Sequence, residues 1–193
     1  MRHGFLVHTF VALATVWVTS VHSQPAHNPP AAGACPAVLD RSFPRLQDDV
    51  AQSLCQYAGK VVLVVNTASY CGFTEQYKDL EALDRRYRER GLIVLGFPSN
   101  DFGQQEPGDA RQIAEFCFNT YGVRFPMFAK SSVAGPQANP LFVDLARRSG
   151  SPPAWNFHKY LISRDATTVS AYPSTVRPLD ARLVRDIERS LGR

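Results

Sequence analysis

Val61-Val-Leu-Val-Val65 is an unbroken apolar, mostly β-branched run, with no charge and no glycine inside it. A strand with one wet face alternates polar and apolar residues. A run without alternation is covered on both faces. That requirement commits the chain to an α/β fold, a sheet lying between layers of other elements. The run passes through Asn66 into a short polar turn, and Cys71 stands there, just before a helical pattern begins. In such folds ligand chemistry gathers at the carboxyl ends of strands, beside helix N-termini. The helix dipole and its unpaired N–H groups favour a thiolate over a thiol. The sequence therefore points to a reactive thiol at Cys71, the alternative being an inert, buried one.

Strands and helices alternate after the run. A helix is expected from about 75 to 90, with Tyr77, Leu80, Leu83 and Tyr87 on one face, Thr74 able to cap its start and Gly91 suited to its end. Leu92 to Phe97 reads as a second buried strand, and 98–108 as a polar loop. Asp109 opens another helix, with Gln112 placed for a capping box and Gly122 beyond its end. Phe125 to Phe128 reads as a short strand. Asn139-Pro140 starts a third helix that Gly150 closes. Residues 160–163 and 168–172 read as a hairpin, and a last amphipathic helix begins near Asp180. The order predicts a mixed sheet with helices on both faces.

The first residues read differently. Arg2 supplies a positive start, Phe5 to Val18 is apolar and uncharged, and Val21-His22-Ser23 offers small residues for cleavage. Residues 1–23 are expected to be a secretory signal peptide, cleaved near Ser23. The alternative is an uncleaved anchor, for which the stretch is short. Residues 24–34 are Pro- and Ala-rich without periodicity, the composition of a flexible linker. The domain is expected to span 35–193. Loss of Arg2 lowers the formal charge from +4 to +3, too mild to argue for nucleic acid. It also removes Trp17 and leaves His27 and His158 as the only histidines, which speaks against a His-based triad or metal site. His158 itself reads as a surface or packing residue.

All four cysteines, Cys35, Cys55, Cys71 and Cys117, lie beyond residue 23. None forms a Cys-x-x-Cys pair, so a structural zinc site has little support. In Cys71-Gly-Phe-Thr74, Thr74 stands where a redox Cys-x-x-Cys motif would have its second cysteine. An oxidised Cys71 must then be resolved by Cys117 or by an external thiol.

Asn66-Thr-Ala-Ser-Tyr-Cys71-Gly-Phe-Thr74, Gly96-Phe-Pro-Ser-Asn-Asp-Phe-Gly-Gln-Gln105-Glu-Pro-Gly108 and Trp155-Asn156-Phe-His-Lys-Tyr160 resemble the three signature blocks of the glutathione peroxidase family. The resemblance implies a thioredoxin-like fold and reduction of hydroperoxides, with no metal, haem or other cofactor. The family's catalytic tetrad would fall on Cys71, Gln105, Trp155 and Asn156. The chemistry agrees. A thiolate attacks the O–O bond and becomes a sulfenic acid. The amides of Gln105 and Asn156 and the indole N–H of Trp155 are donors that do not titrate, able to steady thiolate and departing oxygen. Taken singly, Gln105 and Asn156 could be turn formers and Trp155 a core residue. Cys117, in Glu115-Phe-Cys-Phe-Asn-Thr-Tyr121, resembles the resolving cysteine of thioredoxin-dependent members. A Cys71–Cys117 disulfide would need local unwinding of its helix. Cys117 could equally be a small core residue.

An exported chain with an even cysteine count invites disulfides, and a structural one between Cys35 and Cys55 is expected, keeping both thiols away from Cys71. Ser99 stands where many members carry another cysteine, and Asp101 replaces a common Gln. The short 150–154 stretch resembles monomeric members with an open site, able to admit lipid hydroperoxides as well as hydrogen peroxide. The implied partners are a hydroperoxide and a thiol co-substrate, glutathione or a thioredoxin-like protein, without stable membrane insertion. Two other readings remain open: a peroxide-sensing thiol oxidant that passes its oxidation to a partner protein, and a non-catalytic binding module on the same fold.

Overall fold

The structure, a computed structural model, describes Met1 and residues 35–192. The expected signal peptide and linker lie outside the described residues. The chain forms β1 (Ser42–Pro44), β2 (Ala51–Ser53), β3 (Val61–Thr67), α1 (Gln76–Tyr87), β4 (Leu92–Pro98), α2 (Ala110–Tyr121), α3 (Pro140–Ser149), β5 (Lys159–Ile162), β6 (Val169–Tyr172) and α4 (Ala181–Leu191). Strands β4-β3-β5-β6 make the central sheet in that order, with β3 and β4 parallel and the other pairs antiparallel. This is the expected mixed sheet.

Every residue of β3 and of β4 is buried, as their unbroken apolar runs require. Successive side chains point to opposite faces. Val61, Leu63 and Val65 join Leu92 and Val94 under α1, α2 and α4. Val62 and Val64 join Ile93, Leu95 and Phe97 under α3 and the N-terminal segment that contains Val38, Leu39 and Leu54. Asp84 docks α1 onto the sheet by accepting from the Val94 amide at 3.1 Å. The β1–β2 hairpin was not visible in the sequence. Each of its strands is only three residues long and half exposed, too short to show a period.

The capping box of α2 is present, with the Asp109 side chain accepting from the Gln112 amide and Gln112 returning to the Asp109 N–H. Asn139 caps α3, Pro140 opens it, and Gly150 ends it in the left-handed region. Two expectations fail. Thr74 does not cap α1. Its hydroxyl accepts from the Cys71 amide at 2.9 Å and donates to the Ala68 carbonyl at 2.9 Å, so it closes the turn ahead of the helix. Residues 125–128 form no regular strand, only isolated bridges from Met127 to Gly96 and from Phe128 to Arg45. The segment lies so close over Gly96 that a Cβ there would overlap the Met127 side chain. Pro126 also removes one donor from it.

Candidate active site

Cys71 lies in the turn that joins β3 to α1, half-buried and not disulfide-bonded. The turn is tightly bonded. Thr74 N donates to Cys71 O at 3.0 Å, and Thr74 Oγ1 spans the loop as described. The Phe73 amide donates to Cys71 Sγ at 3.4 Å. Val65 and its neighbours anchor the preceding strand in the core, so the sulfur is presented from a rigid edge.

Two further segments meet this turn. The Tyr70 amide donates to the Gln105 carbonyl at 3.0 Å, tying the 98–108 loop to the residue before Cys71. Asn156 is fully buried, and its Nδ2 donates to Gln105 Oε1 at 3.0 Å and to the Phe102 carbonyl at 3.2 Å. Trp155 is 39% exposed, and its ring stands 5.9 Å from that of Phe102. Its carbonyl accepts from Asn66 Nδ2 at 3.1 Å. Gln105, Trp155 and Asn156 are therefore brought together at the carboxyl end of β3. Among the described residues, none of the three side chains donates to Cys71 Sγ.

Cys117 belongs to the core cluster against which Cys71 packs. It is buried on the inner face of α2 and is not bonded to Cys71. It lines a cleft of about 250 Å³ with Leu46, Phe118 and Met127, whereas the turn residues Ser69 and Tyr70 line a different cleft of about 540 Å³ against Gln112 and Phe116. Burial, and to a lesser degree the charge of Glu106, pushes the Cys117 thiol up to about 11 against an easing contact with Tyr77. In place it is protonated and unreactive at neutral pH. Cys35 and Cys55 form the expected disulfide.

Sequence reasoning gave no role to three residues. Glu106 follows Gln105 in a loop that reads as polar, yet it is fully buried and neither carboxylate oxygen has a hydrogen-bond partner. Burial pushes its carboxyl up to about 7, opposed by Ser69 and Lys130. Asp101 accepts from Ser132 Oγ at 2.8 Å and from the Val133 and Ala134 amides at 2.6 and 3.0 Å. It fastens the 131–134 segment to the active-site loop. Lys159, within the third signature block, is fully buried. His158 is a packing residue, buried with its ring 4.7 Å from that of Tyr160, and desolvation lowers it to about 4.

A family profile described as Glutathione peroxidase matches residues 42–146. The chain belongs to the glutathione peroxidase family. A Schizosaccharomyces pombe relative named glutathione peroxidase-like peroxiredoxin gpx1 is 48% identical over 137 residues, spanning 69% of this chain and 85% of its own. The Synechocystis hydroperoxy fatty acid reductase gpx1 is 46% identical over 149 residues, spanning 72% and 87%. Among solved structures, the apo form of Trgpx superposes with a TM-score of 0.64 at 34% identity, over 80% of this chain and 95% of that one. A Chlorobium tepidum thiol:disulfide interchange protein of the thioredoxin family superposes at 0.58 with 17% identity, which shows the fold alone. The chain is thus a thiol-dependent peroxidase on a thioredoxin-like fold. The profile match contains Cys71, Gln105 and Cys117 but stops short of Trp155 and Asn156, so their place in the site rests on geometry.

Proposed function

We propose that Cys71 is the peroxidatic thiolate, that the Gln105 amide and the Trp155 indole are the donors that serve it, and that Asn156 holds Gln105 in place. The observation that carries this reading is the Asn156–Gln105 hydrogen bond, on a loop whose Gln105 carbonyl is bonded to Tyr70, the neighbour of Cys71. The thiolate attacks the terminal oxygen of ROOH. The O–O bond breaks, a Cys71 sulfenic acid forms, and the departing alkoxide takes a proton to leave as ROH. Cys117 then attacks the sulfenic sulfur, giving a Cys71–Cys117 disulfide and water. Two electrons from glutathione or a thioredoxin-like protein restore both thiols. Burial of Cys117 on α2 means that this second step follows a local opening of the helix.

The exposed Trp155 and Tyr70, the latter 68% exposed, leave the rim of the site open and apolar, which suits organic and lipid hydroperoxides as well as hydrogen peroxide. The name of the Synechocystis relative, a hydroperoxy fatty acid reductase, supports this range. The chain acts as a monomer in this reading, without a bound cofactor. Residues 1–23 direct export to the periplasm or beyond, and the Cys35–Cys55 disulfide is compatible with an oxidising compartment. N-terminal sequencing of the mature protein tests the cleavage. Peroxide consumption with each reductant, alongside mass spectrometry of Cys71, tests the chemistry. Turnover with either thiol supports a peroxidase; stoichiometric mixed disulfides with a protein partner and no turnover would favour the sensor.

A further inference from the structure

Lys159 is the first residue of β5, paired with Val65 of β3 on one side and Tyr172 of β6 on the other. No part of it is exposed. Its Nζ donates to two main-chain carbonyls, Phe157 O and Val176 O, each at 2.7 Å. A buried ammonium is costly, and carbonyl dipoles compensate it less fully than a carboxylate would. Stability alone therefore gives no reason to keep a lysine there.

What it holds is unusual. Phe157 has φ of 62°, the left-handed region, in a bulky residue where that conformation is strained. Its ring is fixed edge-on to Tyr77 at 5.3 Å, and its amide donates to Asn66 O at 2.7 Å. Asn66 Nδ2 holds the Trp155 carbonyl at 3.1 Å. The strained residue comes directly after Trp155 and Asn156, and it decides the direction in which both leave the sheet.

We propose that Lys159 is a positioning residue for peroxide reduction, its ammonium clamping the left-handed Phe157 carbonyl so that Asn156 meets Gln105 and Trp155 stands at the rim near Cys71. This rests on the assignment of Asn156 and Trp155 to the site. The groups around Lys159 leave the clamp sensitive to pH. Burial, followed by the charge of Arg177, pushes the ammonium down to about 7. Arg177 is itself paired with Asp79 at 2.9 Å, His158 stays neutral, and the Tyr172 phenol is held protonated by burial and bonds to Asp186. The amine formed above neutrality keeps two N–H groups but loses the charge that shortens and strengthens both bonds.

The test compares Lys159→Met and Asn156→Ala with the parent chain in single-turnover oxidation of reduced Cys71 by hydrogen peroxide. Both variants are expected to slow the reaction about ten- to a hundredfold, the range for a catalytic group displaced by an ångström. The advantage of the parent over Lys159→Met is expected to shrink as pH rises through about 7. A slow Asn156→Ala beside a Lys159→Met of parental rate overturns the positioning role and leaves the site intact. A parental rate for Asn156→Ala overturns both. Should Lys159→Met fail to fold, fluorine NMR of fluorotryptophan in the full chain carrying Cys71→Ser and Glu106→Gln, which removes the other group that titrates near 7, replaces it. The Trp155 resonance is expected to shift with a midpoint near 7, and a resonance that stays fixed across neutrality overturns the proposal.

Discussion

Cys71 and Cys117 are the same side chain in opposite surroundings. Cys71 is half-buried with a backbone amide aimed at its sulfur, whereas Cys117 is enclosed and protonated. Replacing Cys71 by Ser should abolish peroxide consumption by several orders of magnitude, since the alcohol is not ionised and cannot carry the sulfenic state; comparable turnover in a consumption assay would refute the mechanism. Glu106 gives a second test at this scale. Its folded-state pKa of about 7 lies above its ordinary 4.5, so the folded state binds more protons than the unfolded between those values. Stability conferred by the protonated form is full below 4.5 and falls as pH rises toward 7. Glu106→Gln should melt higher than the parent above pH 7 and close to it below 4.5 in thermal scans across that window. Sequence alone suggested neither this nor the clamp at Lys159, because a charged residue in a polar loop or at a strand start looks solvated until neighbours from distant segments close over it.

At the scale of elements, local rules were legible where the determinants are local. The capping box at Asp109 and Gln112, the Asn139-Pro140 start and the glycine ends at 91, 122 and 150 follow from a few adjacent residues. They failed where a side chain had a non-local choice. Thr74 could cap α1 or close the Cys71 turn, and the fold gave it the Ala68 carbonyl. Asp109→Ala should lower stability by about 1 kcal/mol in urea unfolding. If α2 must open before Cys117 can react, the same change should also speed formation of the Cys71–Cys117 disulfide after a single oxidation by peroxide. Cys117→Ser should be oxidised once at Cys71 but should not recycle with thioredoxin. Unchanged thioredoxin-driven turnover would show that position 117 only packs.

For the whole molecule, the Cys35–Cys55 disulfide closes a loop across 20 residues and fastens Leu39 and Leu54 over the α3 face of the sheet. Cross-linking a loop of that size restricts the unfolded chain by about 3 kcal/mol. The Cys35→Ser/Cys55→Ser double variant should lose about that much in denaturant unfolding, while initial rates of Cys71 oxidation stay near those of the parent. A collapse of the oxidation rate in a folded double variant would show that the bridge supports the site as well as the fold.

The sequence by itself determined the layered α/β architecture, since an unbroken apolar run can be buried only between two covers, and it placed one thiol at the carboxyl end of the first core strand. It also marked Gln105, Trp155 and Asn156 through the resemblance of three short blocks. Only the tertiary structure decided how those blocks meet: Asn156 on Gln105, Lys159 under Phe157, Glu106 sealed without a partner, and Cys117 buried on the inner face of α2. Periodicity and caps are read from neighbours in sequence. Burial of a charge, and the distance between two sulfurs, depend on which remote segments pack together.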